Sequence, residues 1–123
     1  MKKVKRPWGN FKQFILNKKC TVKVLTLKPK QSLSLQLHKK RKELWFFFDK
    51  ATVQIRKKKK EVKEGDIIKI PKKTPHRIIA GSKRVQVLEI SSGTFSEKDE
   101  KRLEDKYGRV KTKKSKSKKR QSK

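Results

Sequence analysis

Gln36, His38, Glu43 and His76 are the residues of this 123-residue chain best suited to chemistry, and His38 and His76 are its only histidines. Leu33, Leu35 and Leu37 alternate with Ser34, Gln36 and His38. That period of two places Gln36 and His38 on one face of a strand, opposite the leucines. Glu43 lies just before the aromatic run Trp45-Phe46-Phe47-Phe48, and His76 opens a later strand. Two imidazoles, a carboxylate and an amide oxygen form a mixed nitrogen–oxygen set. Such a set suits one divalent ion (Zn, Mn, Co or Fe), with positions left open for water or substrate. The ion would serve Lewis-acid catalysis or simple ligand orientation. Spacing alone does not select this reading, because a Gln-x-His pair on a strand is also what a solvated face looks like. Cys20 is the single cysteine, which excludes an intrachain disulfide and a cysteine-based zinc site. It reads as a buried, inert thiol.

The elements that must position these residues are short strands. Val22–Leu27 is rich in β-branched and apolar residues and ends in the turn Lys28-Pro29-Lys30-Gln31. Trp45–Phe48 and Ala51–Ile55, separated by Asp49-Lys50, read as a hairpin, and Lys57–Lys60 as an exposed turn. Gly65-Asp66 opens Ile67–Ile70, which Pro71 stops; His76–Ile79 and Val85–Ile90 supply two more strands. Many short strands between close turn signals predict an all-β sandwich or barrel. One helix is predicted over Ser96–Tyr107, with Ser96 as N-cap, acidic residues in its first turn and Gly108 as its stop. Trp8 and Trp45 are assigned to the core.

Apolar residues make up 31% of the chain and charged residues 41%, with a formal net charge of +29. The apolar residues gather between residues 11 and 90, so the reading is a folded domain over 1–110 and a disordered Lys/Ser-rich tail over 111–123. Residues 109–123 hold nine basic residues and no acidic one, yet residues 1–108 still carry +20. Such a field draws in nucleic acid and other polyanions without selecting among them. No apolar run reaches the length of a membrane span, and the first residues lack the apolar core of a signal peptide. The expected compartment is the cytoplasm.

Four ordered blocks carry a resemblance that covers residues 6–109. Lys30–His38 with Glu43-Leu44-Trp45 resembles the first cupin motif, in the form found in type II mannose-6-phosphate isomerases. Gly65–Pro71 with Thr74-Pro75-His76-Arg77 resembles the second. Arg6-Pro7-Trp8-Gly9 and Glu104–Arg109 match outer signatures of that family. The resemblance implies a single-domain cupin, a double-stranded β-helix or jelly-roll barrel, with Gln36, His38, Glu43 and His76 as ligands of one metal ion. It further implies interconversion of mannose 6-phosphate and fructose 6-phosphate through an enediol, feeding GDP-mannose and polysaccharide synthesis. A cation near the reacting oxygens would stabilise the enediolate. Glu43 is a candidate proton acceptor where the metal does not hold it fully, and Arg77 and Arg109 are candidates for binding phosphate or enediolate. In the family this domain often ends a longer enzyme with a guanylyltransferase half; nothing here corresponds to that half, and guanylyl transfer is expected to be absent. Pairing of cupins through their sheets implies a homodimer, opposed by charge at low salt.

The chain also departs from the family pattern. Lys30, Lys50 and Lys73 stand at turn glycines, Leu44 and Ala80 replace a histidine and an asparagine, Lys39 and Lys40 stand where histidines are common, and Lys106 replaces an arginine. Lysine at a position needing φ > 0 costs about 1 kcal/mol. Leu44, beside a ligand, would remove a proton shuttle or a supporting contact. These changes support the first alternative, a catalytically inactive cupin that binds metal or sugar. The second alternative is a non-specific nucleic-acid binder acting through the basic surface and tail.

Overall fold

A computed structural model of the chain describes residues 1–94 and 98–104. Eleven strands are present: β1 (Lys2–Arg6), β2 (Gly9–Gln13), β3 (Cys20–Leu27), β4 (Leu35–Leu37), β5 (Arg41–Phe47), β6 (Ala51–Ile55), β7 (Lys58–Val62), β8 (Ile67–Ile70), β9 (His76–Ile79), β10 (Val85–Gly93) and β11 (Lys101–Glu104). β1 and β2 form a separate hairpin. The rest build a four-stranded sheet in the order β3-β10-β5-β8 and a five-stranded sheet in the order β11-β4-β9-β6-β7.

Alternation along the strands decides which side chains lie between the sheets. In β5, Arg41, Glu43, Trp45 and Phe47 are buried while Lys42, Leu44 and Phe46 are not. In β10, Val85, Val87, Glu89 and Ser91 face inward, the last three opposite Phe47, Trp45 and Glu43 in the register. Trp45, Phe47, Val53, Ile70, Ile78, Val85 and Val87 make the apolar core. Truncating Trp45 or Phe47, each fully buried, would cost about 3–5 kcal/mol. The core fills one part of the interior and leaves the polar cluster described below in another.

Several expectations are corrected here. β5 and β6 are not a hairpin; they lie in different sheets. Asp49 lacks the glycine partner of a tight hairpin turn and instead accepts a hydrogen bond from the Gln86 amide (2.8 Å), which ties the crossing to β10. Lys58–Lys60 belongs to edge strand β7, whose turn is made by Arg56 at φ 57°; lysines on an edge guard it against further pairing. Of the segment expected to be helical, Lys101–Glu104 is a strand, because β4 offers a free edge that it pairs with; Ser96, Glu97 and residues 105–107 lie outside the described residues. Trp8, at the turn of the separate β1–β2 hairpin, is 72% exposed. Cys20, at the start of β3, is exposed as well.

Candidate metal centre

β4, β5 and β9 supply the cluster. Gln36 on β4 and His76 on β9 are cross-strand partners, so their side chains rise from the same face. His38 follows β4, and Glu43 is an inward residue of β5. His38, Glu43 and His76 are all buried, and their ligand atoms lie within 4.8 Å of one another.

The hydrogen bonds of the two histidines determine which nitrogen faces the cluster. His38 Nδ1 is 2.7 Å from the Asp99 carbonyl oxygen, and His76 Nδ1 is 2.7 Å from that of Thr74. A carbonyl can only accept, so both rings carry a proton on Nδ1 and present Nε2 inward. His76 Nε2 then faces Glu43 Oε1 at 3.4 Å, and neither atom has a hydrogen-bond partner among the described residues. Two lone-pair atoms facing each other in the interior need a positive charge between them, either a proton on Nε2 or a metal ion. His38 Nε2 lies 3.5 Å from Glu43 Oε2. Two imidazoles oriented by backbone carbonyls around one carboxylate fit a divalent cation of the first transition row.

Electrostatics agree with that fit. Burial lowers the pKa of His38 and favours the neutral, ligating form, although its bond to Asp99 and the charge of Glu43 act the other way. Burial pushes Glu43 up, but the nearness of His76 and the charges of both histidines override this and bring it down to about 2. Glu43 is thus ionised at neutral pH.

Gln36 is placed beside this trio by its pairing with His76. With its amide oriented so that nitrogen donates to the Glu100 carboxylate (2.8 and 3.0 Å) and to Ser34 Oγ, the nitrogen and not the oxygen is committed to those partners. Arg77 is not brought together with the others. It lies on the opposite face of β9 from His76, and its Nε donates to Gln54 Oε1 at 2.9 Å. Arg109 lies outside the described residues. Leu44, on the outer face of β5, stands away from the cluster, so the missing histidine there does not leave a gap beside the ligands.

A family model for the mannose-6-phosphate isomerase C-terminal domain matches residues 1–105. The chain belongs to this family. This mannose-6-phosphate isomerase C-terminal domain is 35% identical over 112 residues to mannose-1-phosphate guanylyltransferase ManC of Salmonella typhimurium, covering 89% of the chain and 23% of that protein. It is 36% identical over 111 residues to the alginate biosynthesis protein AlgA of Pseudomonas aeruginosa, covering 87% of the chain and 23% of that protein. The chain therefore spans under a quarter of the length of these curated relatives. Among solved structures, oxalate decarboxylase from Bacillus subtilis superposes with a TM-score of 0.63 at 28% identity, over 70% of this chain and 24% of that one. The fold of the family member described here is accordingly the cupin double-stranded β-helix.

Three participants escaped the sequence reading. Arg41 is buried; its Nε donates to Glu43 Oε2 (3.1 Å) and its Nη2 to His38 Nε2 (3.2 Å). Counting back by twos from Trp45 through Glu43 reaches it, but the lysines on either side masked it. Glu89 is buried and accepts from the Trp45 indole at 3.2 Å. Burial, and next the charge of Glu43, push its pKa up to about 7. Its place in Val85-Gln86-Val87-Leu88-Glu89, on the inward period, was a usable signal. Asp99 accepts from the amides of Lys39 and Lys40 and offers its carbonyl to His38. No local pattern reveals a contact between residues so far apart in sequence.

Proposed function

We propose that this domain is a metal-dependent aldose–ketose isomerase that interconverts mannose 6-phosphate and fructose 6-phosphate. Membership of the mannose-6-phosphate isomerase family supports the substrate class. The observation that carries the reading is the meeting of His38, Glu43 and His76, with both Nδ1 protons committed to backbone carbonyls. These three would hold the ion, with Gln36 as the neighbouring fourth candidate. A divalent cation there supplies the positive charge that favours loss of a proton from the carbon next to a carbonyl. Arg41 sits within hydrogen-bond reach of the same ligands and is a second cation able to hold a developing oxyanion. Glu43 is the candidate proton acceptor where the ion does not hold it fully. Arg77 is left out of this scheme because it projects from the other face of β9. Arg109, in the closing family motif, keeps its proposed anion-binding role. A place in polysaccharide precursor supply is in keeping with the name of AlgA.

Arg41 also favours a second reading. A guanidinium already inside the cluster compensates the charge of Glu43, as it would in a cupin that binds sugar without turnover. Metal analysis of purified protein and of His38→Ala, with an assay on mannose 6-phosphate, separates the two. The isomerase reading expects about one metal ion per chain, its loss in the variant and formation of fructose 6-phosphate. Bound metal without product supports the inactive cupin, and absence of both ends the isomerase reading.

A further inference from the structure

A cavity of about 670 Å³, lined in part by Gln36, opens where the end of β3, the turn that follows it, β4 and β11 come together. β3 and β11 are the outer strands of the two sheets, so the cavity lies at an open side of the sandwich. Its size falls within the range of small-molecule sites. We infer that this cavity binds the substrate's polyol chain and phosphate, with Lys28 as the phosphate ligand and the Arg102–Glu100–Gln36 chain as the wall that directs the sugar toward His76. The inference rests on the sugar-phosphate reading above and extends it to residues outside the metal cluster.

Three observations carry it. First, Ser34 and Gln36 line the cavity, and His38 continues the same face two residues further on. From Ser34 to His38 the strand advances only about 13 Å at 3.3 Å per residue, and Gln36 is the direct cross-strand partner of His76. A ligand seated here therefore meets Gln36, the cross-strand neighbour of His76. Second, the lining is polar in a manner that suits hydroxyl groups: Ser32, Ser34, Gln36 and Glu100 contribute donors and acceptors. Glu100, the one acid described there, is held by Arg102 Nε at 2.8 Å and by the Gln36 amide. A carboxylate fixed in this way can accept from sugar hydroxyls with its negative charge already balanced. Third, Lys28 lines the cavity, is exposed and has no acidic partner among the described residues. A flexible ammonium at the outer end suits a terminal phosphate that acts as a point charge.

The test is calorimetric titration of the full chain at about 150 mM salt, where diffuse attraction to surface lysines is largely screened. Mannose 6-phosphate and mannose are the probes, against wild type, Lys28→Ala and Arg102→Gln. Wild type should prefer mannose 6-phosphate to mannose. Lys28→Ala should weaken mannose 6-phosphate about tenfold, the loss of one charged hydrogen bond, while leaving mannose unchanged; Arg102→Gln should weaken both. Backbone amide shifts of Ser32 and Ser34 should move on addition of mannose 6-phosphate. Unchanged affinity in both variants, or shifts confined to other surfaces, would overturn the assignment. Binding with this pattern but no turnover would sink the isomerase reading and leave the pocket standing. Turnover with KM unaltered in both variants would sink the pocket alone.

Discussion

Lys73 and Lys30 hold φ angles of 61° and 64°, in the left-handed region, whereas Lys50 is not among the residues with positive φ. Two of the three lysines at family glycine positions therefore carry a real backbone cost. Lys73 donates its amide to the His38 carbonyl at 2.7 Å, and Lys30 donates to that of Gly81 at 2.7 Å, so each strained residue closes a turn the fold needs. Lys73→Gly and Lys30→Gly should each stabilise the protein by about 0.5–1 kcal/mol, the relief of left-handed strain less the added chain entropy of glycine. Urea midpoints would show it. Glu89 supplies a pH dependence of unusual sign. Its pKa rises from the ordinary 4.5 to about 7 on folding, so between these values the folded chain keeps a proton that the unfolded chain releases. Its contribution is complete below about 4.5 and is lost as pH rises through about 7, at most ~1.4 kcal/mol per pH unit. In chelator-treated protein, Glu89→Gln should flatten this decline relative to wild type in unfolding measured from pH 5 to pH 8.

At the scale of elements, the cluster depends on how strand ends are pinned. Gly93 closes β10 at φ 107°, and a Cβ there would meet the Lys40 carbonyl oxygen at 2.6 Å and the Arg41 Cα at 3.3 Å. The same stretch gives its Lys39 and Lys40 amides to Asp99 and carries Arg41 into the interior. Gly93→Ala should therefore cost about 1–3 kcal/mol of stability, as a strained backbone does, and should shift the indole fluorescence of Trp45 by disturbing β5. A wild-type denaturation midpoint with an unaltered spectrum would count against this close approach. The lysines at positions 39 and 40 act here through their amides, so the absence of histidine side chains removes nothing from the bonds that hold Asp99.

For the whole molecule, charge and site are separate properties. The His38–Glu43–His76 cluster is interior, whereas most of the basic residues described are exposed. A net charge of +29 will bring any polyanion to the surface through counterion release. Binding to duplex DNA should fall by at least about tenfold between 50 and 200 mM salt and should be indifferent to base sequence. Filter binding or fluorescence anisotropy would read this, and sequence preference that persists at high salt would argue for a true nucleic-acid partner. No helix among the described residues is long and apolar enough to cross a membrane.

Alternation by twos is a local property, and from it the sequence alone determined that the chain is built of strands and that Gln36 and His38 share a face; bulk and apolarity assigned Trp45 to the core. Block order along the chain pointed to the cupin family. Which strands pair was decided only in three dimensions, because hydrogen bonding between strands is set by partners far apart in sequence. That is why Asp49-Lys50 resembled a hairpin turn yet crosses between sheets, and why Lys101–Glu104, with acidic residues before it like a helix start, became a strand on the edge of β4. The same pairing brought Asp99 to His38 and Glu89 to Trp45. Contacts of this kind depend on which faces meet across the interior, and no spacing along a single strand encodes that.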